Sequence, residues 1–133
     1  MNFFTDNLLI ITTAIVSGGA LLLPSLQKGG ARVSQLQATQ YMNQGKNLVL
    51  DVRSIEEFAQ GHLPNAINIP LTELESRLKE IEKFKNNIVI AVCASGTRSS
   101  NAVSALNKAG FAQTFSLDGG VTAWSSQGLP TVK

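Results

Sequence analysis

The chain has 133 residues, enough for one ordinary domain and too few for two separate cores. Eleven Lys and Arg against nine Asp and Glu give a net charge of +2 without a block of like charges, which argues against nucleic acid as a partner. The single cysteine excludes an internal disulfide and a zinc site built on several thiolates, and the single histidine offers little replacement. We therefore expect neither a metal nor another cofactor.

An uncharged apolar segment runs from Leu8 to Leu26. As a helix it would be about 28 Å long, enough to cross a bilayer. A cleaved signal peptide would carry basic residues before a shorter apolar run, and no Lys or Arg precedes this one. A buried core helix is the alternative, but a protein this small has no second layer to cover a helix that is apolar on every side. The segment predicts an uncleaved transmembrane anchor over residues 1–27.

Basic residues lie only on the C-terminal side of this segment, at Lys28 and Arg32. Residues 28–32 predict a short linker, followed by a domain over residues 33–133. The positive-inside rule places that domain in the cytoplasm, where a lone thiol also survives better than in an oxidising compartment. In a bacterial cell we expect a single-pass protein of the inner membrane.

Helix starts and short apolar runs alternate along the domain. Capping-box spacing marks three helix starts, at Ser34 with Gln37, Ser54 with Glu57, and Thr72 with Glu75. Apolar runs predict strands at Leu48–Val52, Ala66–Ile69 and Ile88–Val92 and around Phe115 and Leu117. Further helices are predicted over residues 73–83, where Leu74, Leu78 and Ile81 recur at i, i+4 and i+7, and over residues 99–109, which Gly110 ends. This alternation predicts an α/β domain with a largely parallel central sheet and helices on both faces.

The candidate chemistry lies in the segment that leaves the apolar strand at Cys93 and enters a helix N-terminus. Open α/β sheets place their sites at the carboxyl ends of their strands, and the backbone N–H groups of such a loop bind anions. A thiol there ionises easily and becomes a nucleophile, whereas a Cys packed within an apolar strand stays protonated. Cys93 is therefore the candidate nucleophile. Its predicted anion cradle consists of Ala94, Ser95, Gly96, Thr97, Arg98 and Ser99, where Arg98 adds a positive charge and Ser95 and Thr97 are hydroxyl donors or simply turn residues.

Five stretches together resemble the single-domain rhodanese family of sulfurtransferases across nearly all of residues 33–133. They are Leu50–Arg53 with Glu57 and Phe58, Gly61–Pro70, Cys93–Ser99, Asp118–Gly120 with Ala123 and Trp124, and Gly128–Pro130. The resemblance implies a rhodanese-like fold and a persulfide intermediate, in which Cys93 takes the outer sulfur of a small donor and yields it to a thiophilic acceptor. Because no second cysteine is present, we expect an external acceptor: a small thiol, a cyanide-like nucleophile, or a thioredoxin-type or other membrane-associated protein.

The same resemblance gives structural roles to Asp51, Arg53, Glu57 and His62. Asp51 and Arg53 are similar to a strand-end pair of the family, and we expect Arg53 to form an ion pair with Glu57. His62 belongs to a shared Gly-His-Leu turn, in which it is a hydrogen-bonded turn residue or, alternatively, a general base or pH switch. Asn65 replaces the usual Gly of that stretch, and Asn tolerates the positive φ that the turn requires.

Two other functions remain alternatives. A Cys-based phosphatase of the related fold uses a Cys-x5-Arg loop, but only four residues separate Cys93 from Arg98 here. The shorter loop fits a sulfur-sized anion and crowds a phosphoryl group. A noncatalytic membrane-tethered module that binds a partner is the other alternative, because fold alone does not establish function. The intact Cys93 and Arg98 favour the sulfurtransferase over both.

Overall fold

The computed structural model describes residues 31–133, and the predicted transmembrane anchor lies outside the described residues. Within that described part, no helix combines the length and the apolar character needed to cross a membrane. The strands are β1 (Ala31–Val33), β2 (Asn47–Asp51), β3 (Ile67–Asn68), β4 (Ile88–Val92) and β5 (Gln113–Leu117). The α-helices are α1 (Gln35–Met42), α2 (Ile55–Ala59), α3 (Thr97–Lys108) and α4 (Gly120–Ser126), and two 3₁₀ helices cover Leu71–Glu73 and Glu75–Phe84.

The five strands form one sheet in the order β1-β5-β4-β2-β3, and every neighbouring pair is parallel. The wholly apolar β4 lies at the centre, paired with β2 on one side and β5 on the other, as its sequence predicts. Strand β1 was not predicted, and it includes Ala31 and Arg32, which the sequence places in the linker. Since all strands run the same way, the loops that follow them meet at one edge of the sheet.

Two layers of apolar side chains cover the two faces of the sheet. On one face, Val89 and Ala91 of β4 pack with Ala102 and Leu106 of α3 and with the 3₁₀ segments. On the other face, alternate residues of the same strands pack against α1 and α4; the buried residues there are Val33, Ala38, Val49, Leu63, Ile90, Val92, Leu117 and Trp124. The α/β architecture with helices on both faces is therefore confirmed.

Local signals set most of the element boundaries. Ser34 caps α1 by accepting from the N–H of Gln37, and Ser54 and Glu57 form a complete capping box at α2. Helix α3 ends in a Schellman motif, because Gly110 has a φ of 94° and the N–H of Phe111 donates to the carbonyl of Leu106. These three predictions are confirmed.

The predicted α-helix over residues 73–83 is wrong in type. The chain forms the two 3₁₀ helices instead, and Thr72 lies inside the first of them, with no side-chain cap at either start. Apolar residues recur there in steps of three, the period of a 3₁₀ helix. They are Leu71 and Leu74, then Leu78, Ile81 and Phe84, all within or against the core.

Candidate active site

Cys93 directly follows the central strand β4, at the carboxyl edge of the sheet. The residue is 1% exposed, and the loop after it turns sharply at Gly96, whose φ of 113° suits glycine. Helix α3 begins at Thr97, so the first-turn N–H groups of this helix, which have no intrahelical acceptors, lie within the loop. The strand-loop-helix arrangement predicted for Cys93–Ser99 is thus present, and it brings all seven of these residues together.

Hydrogen bonds converge on the sulfur atom of Cys93. The N–H of Gly96 donates to Sγ at 3.0 Å, and Ser99 Oγ lies 3.3 Å from Sγ. Burial by itself raises the pKa of this thiol, but the Ser99 hydroxyl and the backbone N–H groups of Ser99, Gly96 and Ser95 outweigh burial. The net effect is a lowered thiol pKa, as expected for a nucleophile and not for a packing cysteine.

A second hydroxyl lies behind Ser99. Ser99 Oγ is 2.7 Å from Ser116 Oγ and also donates to the carbonyl of Gly96 at 3.1 Å. Ser116 belongs to β5 and is 1% exposed. The sequence analysis did not include Ser116 in the site. A serine between the apolar residues Phe115 and Leu117 of a strand could have indicated a buried polar residue.

The start of helix α4 holds the loop from the side of β5. The N–H groups of Val121 and Thr122 donate to the carbonyls of Cys93 and Ala94, at 2.9 Å and 3.0 Å. This approach requires glycine at position 120, because a Cβ there would lie 2.3 Å from the Cys93 carbonyl oxygen and 2.6 Å from that of Ala94. Close backbone packing therefore explains the glycine at position 120 in the Asp118-Gly119-Gly120 stretch.

Arg98 binds Glu57 of α2 through both guanidinium Nη atoms, at 2.7 Å and 2.9 Å. This bidentate pair, assisted by Ser54, lowers the pKa of Glu57 from its usual 4.5 to about 2. The predicted ion pair between Arg53 and Glu57 is therefore wrong. Glu57 connects α2 to the loop, while Arg53 has a different partner.

That partner is Asp51 at the end of β2. Arg53 donates to both Asp51 carboxylate oxygens, with Nη2 at 2.8 Å from Oδ2, and to the carbonyl of Gly61 at 2.7 Å. Asp51 is fully buried and Arg53 is 6% exposed, so this is an internal ion pair. Asn68 donates to the backbone carbonyls of both residues and joins β3 to the same cluster.

His62 lies in a different environment from Cys93. Its Nδ1 is 2.9 Å from the carbonyl of Phe58, its ring stacks on the Phe58 ring at 3.7 Å, and its backbone pairs with Val132. These contacts fit the turn role predicted from the sequence and provide no link to the sulfur. Nearby, Asn65 has a φ of 62°, as its replacement of glycine implies.

Among residues 31–133, no group of three or more His, Cys, Asp and Glu side chains is arranged to hold a metal ion. The loop instead offers a nucleophilic sulfur with neutral hydrogen-bond donors around it. Such an arrangement can form a covalent bond at sulfur and stabilise negative charge on the product.

Comparisons with known proteins agree with this geometry. Residues 34–127 match the model of the rhodanese-like domain. The chain is 36% identical over 102 residues to the uncharacterized protein YibN of Escherichia coli, covering 76% of this chain and 71% of that one. It is 38% identical over 85 residues to a sulfurtransferase of Allochromatium vinosum, covering 64% of this chain and 78% of that one.

The fold also resembles that of a rhodanese-related protein from Thermoplasma volcanium, with a TM-score of 0.66 and 33% identity. That likeness covers 77% of this chain and 97% of the other. With its matching domain model, its relatives and its cysteine loop at the end of the central strand, this chain belongs to the family of rhodanese-like domains.

Proposed function

We propose that this protein is a membrane-anchored sulfurtransferase that carries sulfane sulfur as a persulfide on Cys93. The single observation that carries the proposal is the setting of Sγ, which is buried, accepts the N–H of Gly96 and contacts the Ser99 hydroxyl. A thiolate held in this way is available as a nucleophile at neutral pH. The sulfurtransferase of Allochromatium vinosum supports the same reaction class.

In the first half-reaction the Cys93 thiolate attacks the outer sulfur of a donor such as thiosulfate. A new S–S bond forms at Sγ, the S–S bond of thiosulfate breaks, and sulfite leaves with the electron pair. No external oxidant is needed, because the donor already carries sulfur at the required oxidation level. The loop N–H groups and the Ser99 hydroxyl would stabilise the charge on the persulfide.

In the second half-reaction an external nucleophile attacks the terminal sulfur. The Sγ–S bond breaks, the acceptor gains one sulfur atom, and the Cys93 thiolate is restored. A thiolate acceptor becomes a persulfide, and a cyanide-like acceptor becomes a thiocyanate-like product. We propose a small thiol or a protein thiol, including a thioredoxin-type or membrane-associated partner, as the acceptor, since the chain has no second cysteine.

The first test is intact-mass measurement of the full-length protein in detergent after incubation with thiosulfate and other sulfane donors. We expect a gain of one sulfur atom that a reducing thiol removes, and no gain in Cys93→Ser. An unmodified wild-type protein across all donors would favour the noncatalytic binding module. Phosphate release from an aryl phosphate, lost in Cys93→Ser, would favour the phosphatase alternative.

Membrane tethering rests on the uncharged segment Leu8–Leu26 and the basic residues that follow it. A membrane-impermeant thiol reagent added to intact cells should leave Cys93 unlabelled, and permeabilisation should expose it. Labelling of Cys93 in sealed cells would reverse the proposed orientation. Recovery of a mature protein that lacks residues 1–30 would identify the segment as a cleaved signal peptide.

A further inference from the structure

A chain of buried hydroxyl groups leads from Cys93 to strand β5. Cys93 Sγ lies 3.3 Å from Ser99 Oγ, and Ser99 Oγ lies 2.7 Å from Ser116 Oγ. Alternation along β5 turns Phe115 and Leu117 toward one core layer and Ser116 toward the layer beneath α3. The sulfur chemistry proposed above assigns no role to Ser116.

Ser116 also lines a polar cavity of about 320 Å³ next to the start of α3. The other polar residues that line it are Arg32, Ser95, Thr97, Ser100, Asn101 and Asp118. A water molecule occupies about 30 Å³ of liquid volume, so the cavity has room for several waters and enough polar groups to hold them. Ser116 and the cysteine loop therefore line the same water-sized cavity.

The hydrogen-bond partners around Ser99 allow its hydroxyl to change direction. A hydroxyl has one proton to donate. While Cys93 is a thiol, its S–H points at Ser99 Oγ, and the Ser99 proton is directed at the carbonyl of Gly96. Once the sulfur is a thiolate, the Ser99 proton must turn to the sulfur. The Gly96 carbonyl then keeps two donors, the N–H and the hydroxyl of Ser100, so no buried acceptor is left unpaired.

The Ser99 oxygen then needs a donor, and Ser116 is the hydroxyl within reach. We propose that Ser116 is a positioning residue that stabilises the Cys93 thiolate by donating a hydrogen bond to Ser99 Oγ. When the thiol releases its proton to water, the Ser99 hydroxyl turns from the Gly96 carbonyl to the sulfur, and the Ser116 hydroxyl donates to Ser99 Oγ. Water in the adjoining cavity can in turn donate to Ser116 Oγ.

The charged groups around this hydroxyl chain come from every neighbouring element. They are the Arg98–Glu57 pair of α3 and α2, the Asp51–Arg53 pair at the end of β2, and Arg32 and Asp118 at the cavity. None of them lies in the hydroxyl chain, so substitution of Ser116 changes the chain without removing a charge.

The test compares Ser116→Ala with Thr114→Val in the full-length protein. Thr114 is also buried, lies two residues earlier on the same face of β5, and bonds to Asn107 instead of to the site. The readouts are thiolate ultraviolet absorbance and the rate of iodoacetamide alkylation across pH, and the single cysteine makes both signals specific to Cys93. Thermal unfolding of each variant separates a loss of folding from a change at the thiol.

We expect Ser116→Ala to move the alkylation midpoint to higher pH, with a rate roughly three- to tenfold lower below the midpoint and equal to wild type above it. Thr114→Val should follow the wild-type profile, and Ser116→Thr, which keeps the hydroxyl, should restore it. An unchanged midpoint in a folded Ser116→Ala, or an equal loss of rate at every pH, would overturn this role of Ser116. The role rests on the proposed function only for its purpose, because alkylation needs no sulfur donor. A shifted midpoint without sulfur transfer would therefore refute the proposed function and retain the positioning role of Ser116.

Discussion

A methyl group at position 120 should damage the candidate site more than one at any other glycine of residues 31–133. In Gly120→Ala the new Cβ would meet the carbonyl oxygens of Cys93 and Ala94 at 2.3 Å and 2.6 Å, both below the 3.0 Å that real Cβ contacts respect. To relieve this clash, helix α4 must move away from the loop, which weakens the hydrogen bonds that the N–H groups of Val121 and Thr122 donate. Two hydrogen bonds at about 1 kcal/mol each, and about 1 kcal/mol for a non-glycine residue at a φ of 59°, give a loss of about 3 kcal/mol.

Gly128→Ala is the matched control, because Gly128 has a φ of 73° and no atom within 4 Å of its would-be Cβ. It should cost only the backbone term of about 1 kcal/mol in urea unfolding. The clash displaces the backbone of Cys93, which carries the proposed nucleophile. Gly120→Ala should therefore also slow sulfur uptake by about 100-fold, while Gly128→Ala should leave the rate near that of wild type. Equal unfolding free energies for the two variants would refute the steric reasoning.

Substitutions at three further positions test the two ion pairs and the turn at Asn65. Glu57→Gln should destabilise the protein by no more than about 1 kcal/mol at pH 7, because the pair with Arg98 is partly exposed. Since Glu57 has its pKa lowered to about 2, this difference should be complete above pH 4.5 and fade toward pH 2; a difference that grows on acidification would contradict the pairing. Asp51→Asn should cost about 3–5 kcal/mol in urea unfolding, because it leaves the Arg53 charge buried without its counter-ion, and a cost below about 1 kcal/mol would argue against an internal ion pair. Asn65→Ala should cost about 1 kcal/mol through its φ of 62°, whereas Asn65→Gly should be close to neutral, and equal thermal stability of the two would show that the turn is not strained.

The sequence predicted the features that depend on neighbouring residues. The apolar run Ile88–Val92 can only be a strand covered on both faces, and Gly110 and Asn65 are residue types suited to positive φ. The loop after β4 was predicted in the same way, because Cys93 directly follows the apolar run and precedes the start of a helix. These features needed no knowledge of which elements pack together.

Features that depend on tertiary packing could not be read in the same way. Arg53 and Glu57 are close in sequence and opposite in charge, yet Arg53 turns into the core to Asp51, and Glu57 reaches Arg98, 41 residues away. The relation of Ser116 to Ser99 likewise exists only because β5 pairs with β4 and α3 packs over both. Charge and spacing along the chain indicate which side chains could pair. The order of the strands in the sheet determines which of these pairs form.

The ion pair between Arg98 and Glu57 also changes the electrostatics expected for the loop. The sequence assigned Arg98 the role of a positive charge in the anion cradle, but both its Nη atoms bind the Glu57 carboxylate, and the pair together is close to neutral. The Ser99 hydroxyl and the backbone N–H groups of the loop lower the pKa of Cys93 and outweigh the opposing effect of burial. Neutral donors fixed by the fold stabilise a charge without bringing a counter-ion that a sulfur donor or acceptor must displace. The Arg98–Glu57 pair also joins the start of α3 to α2.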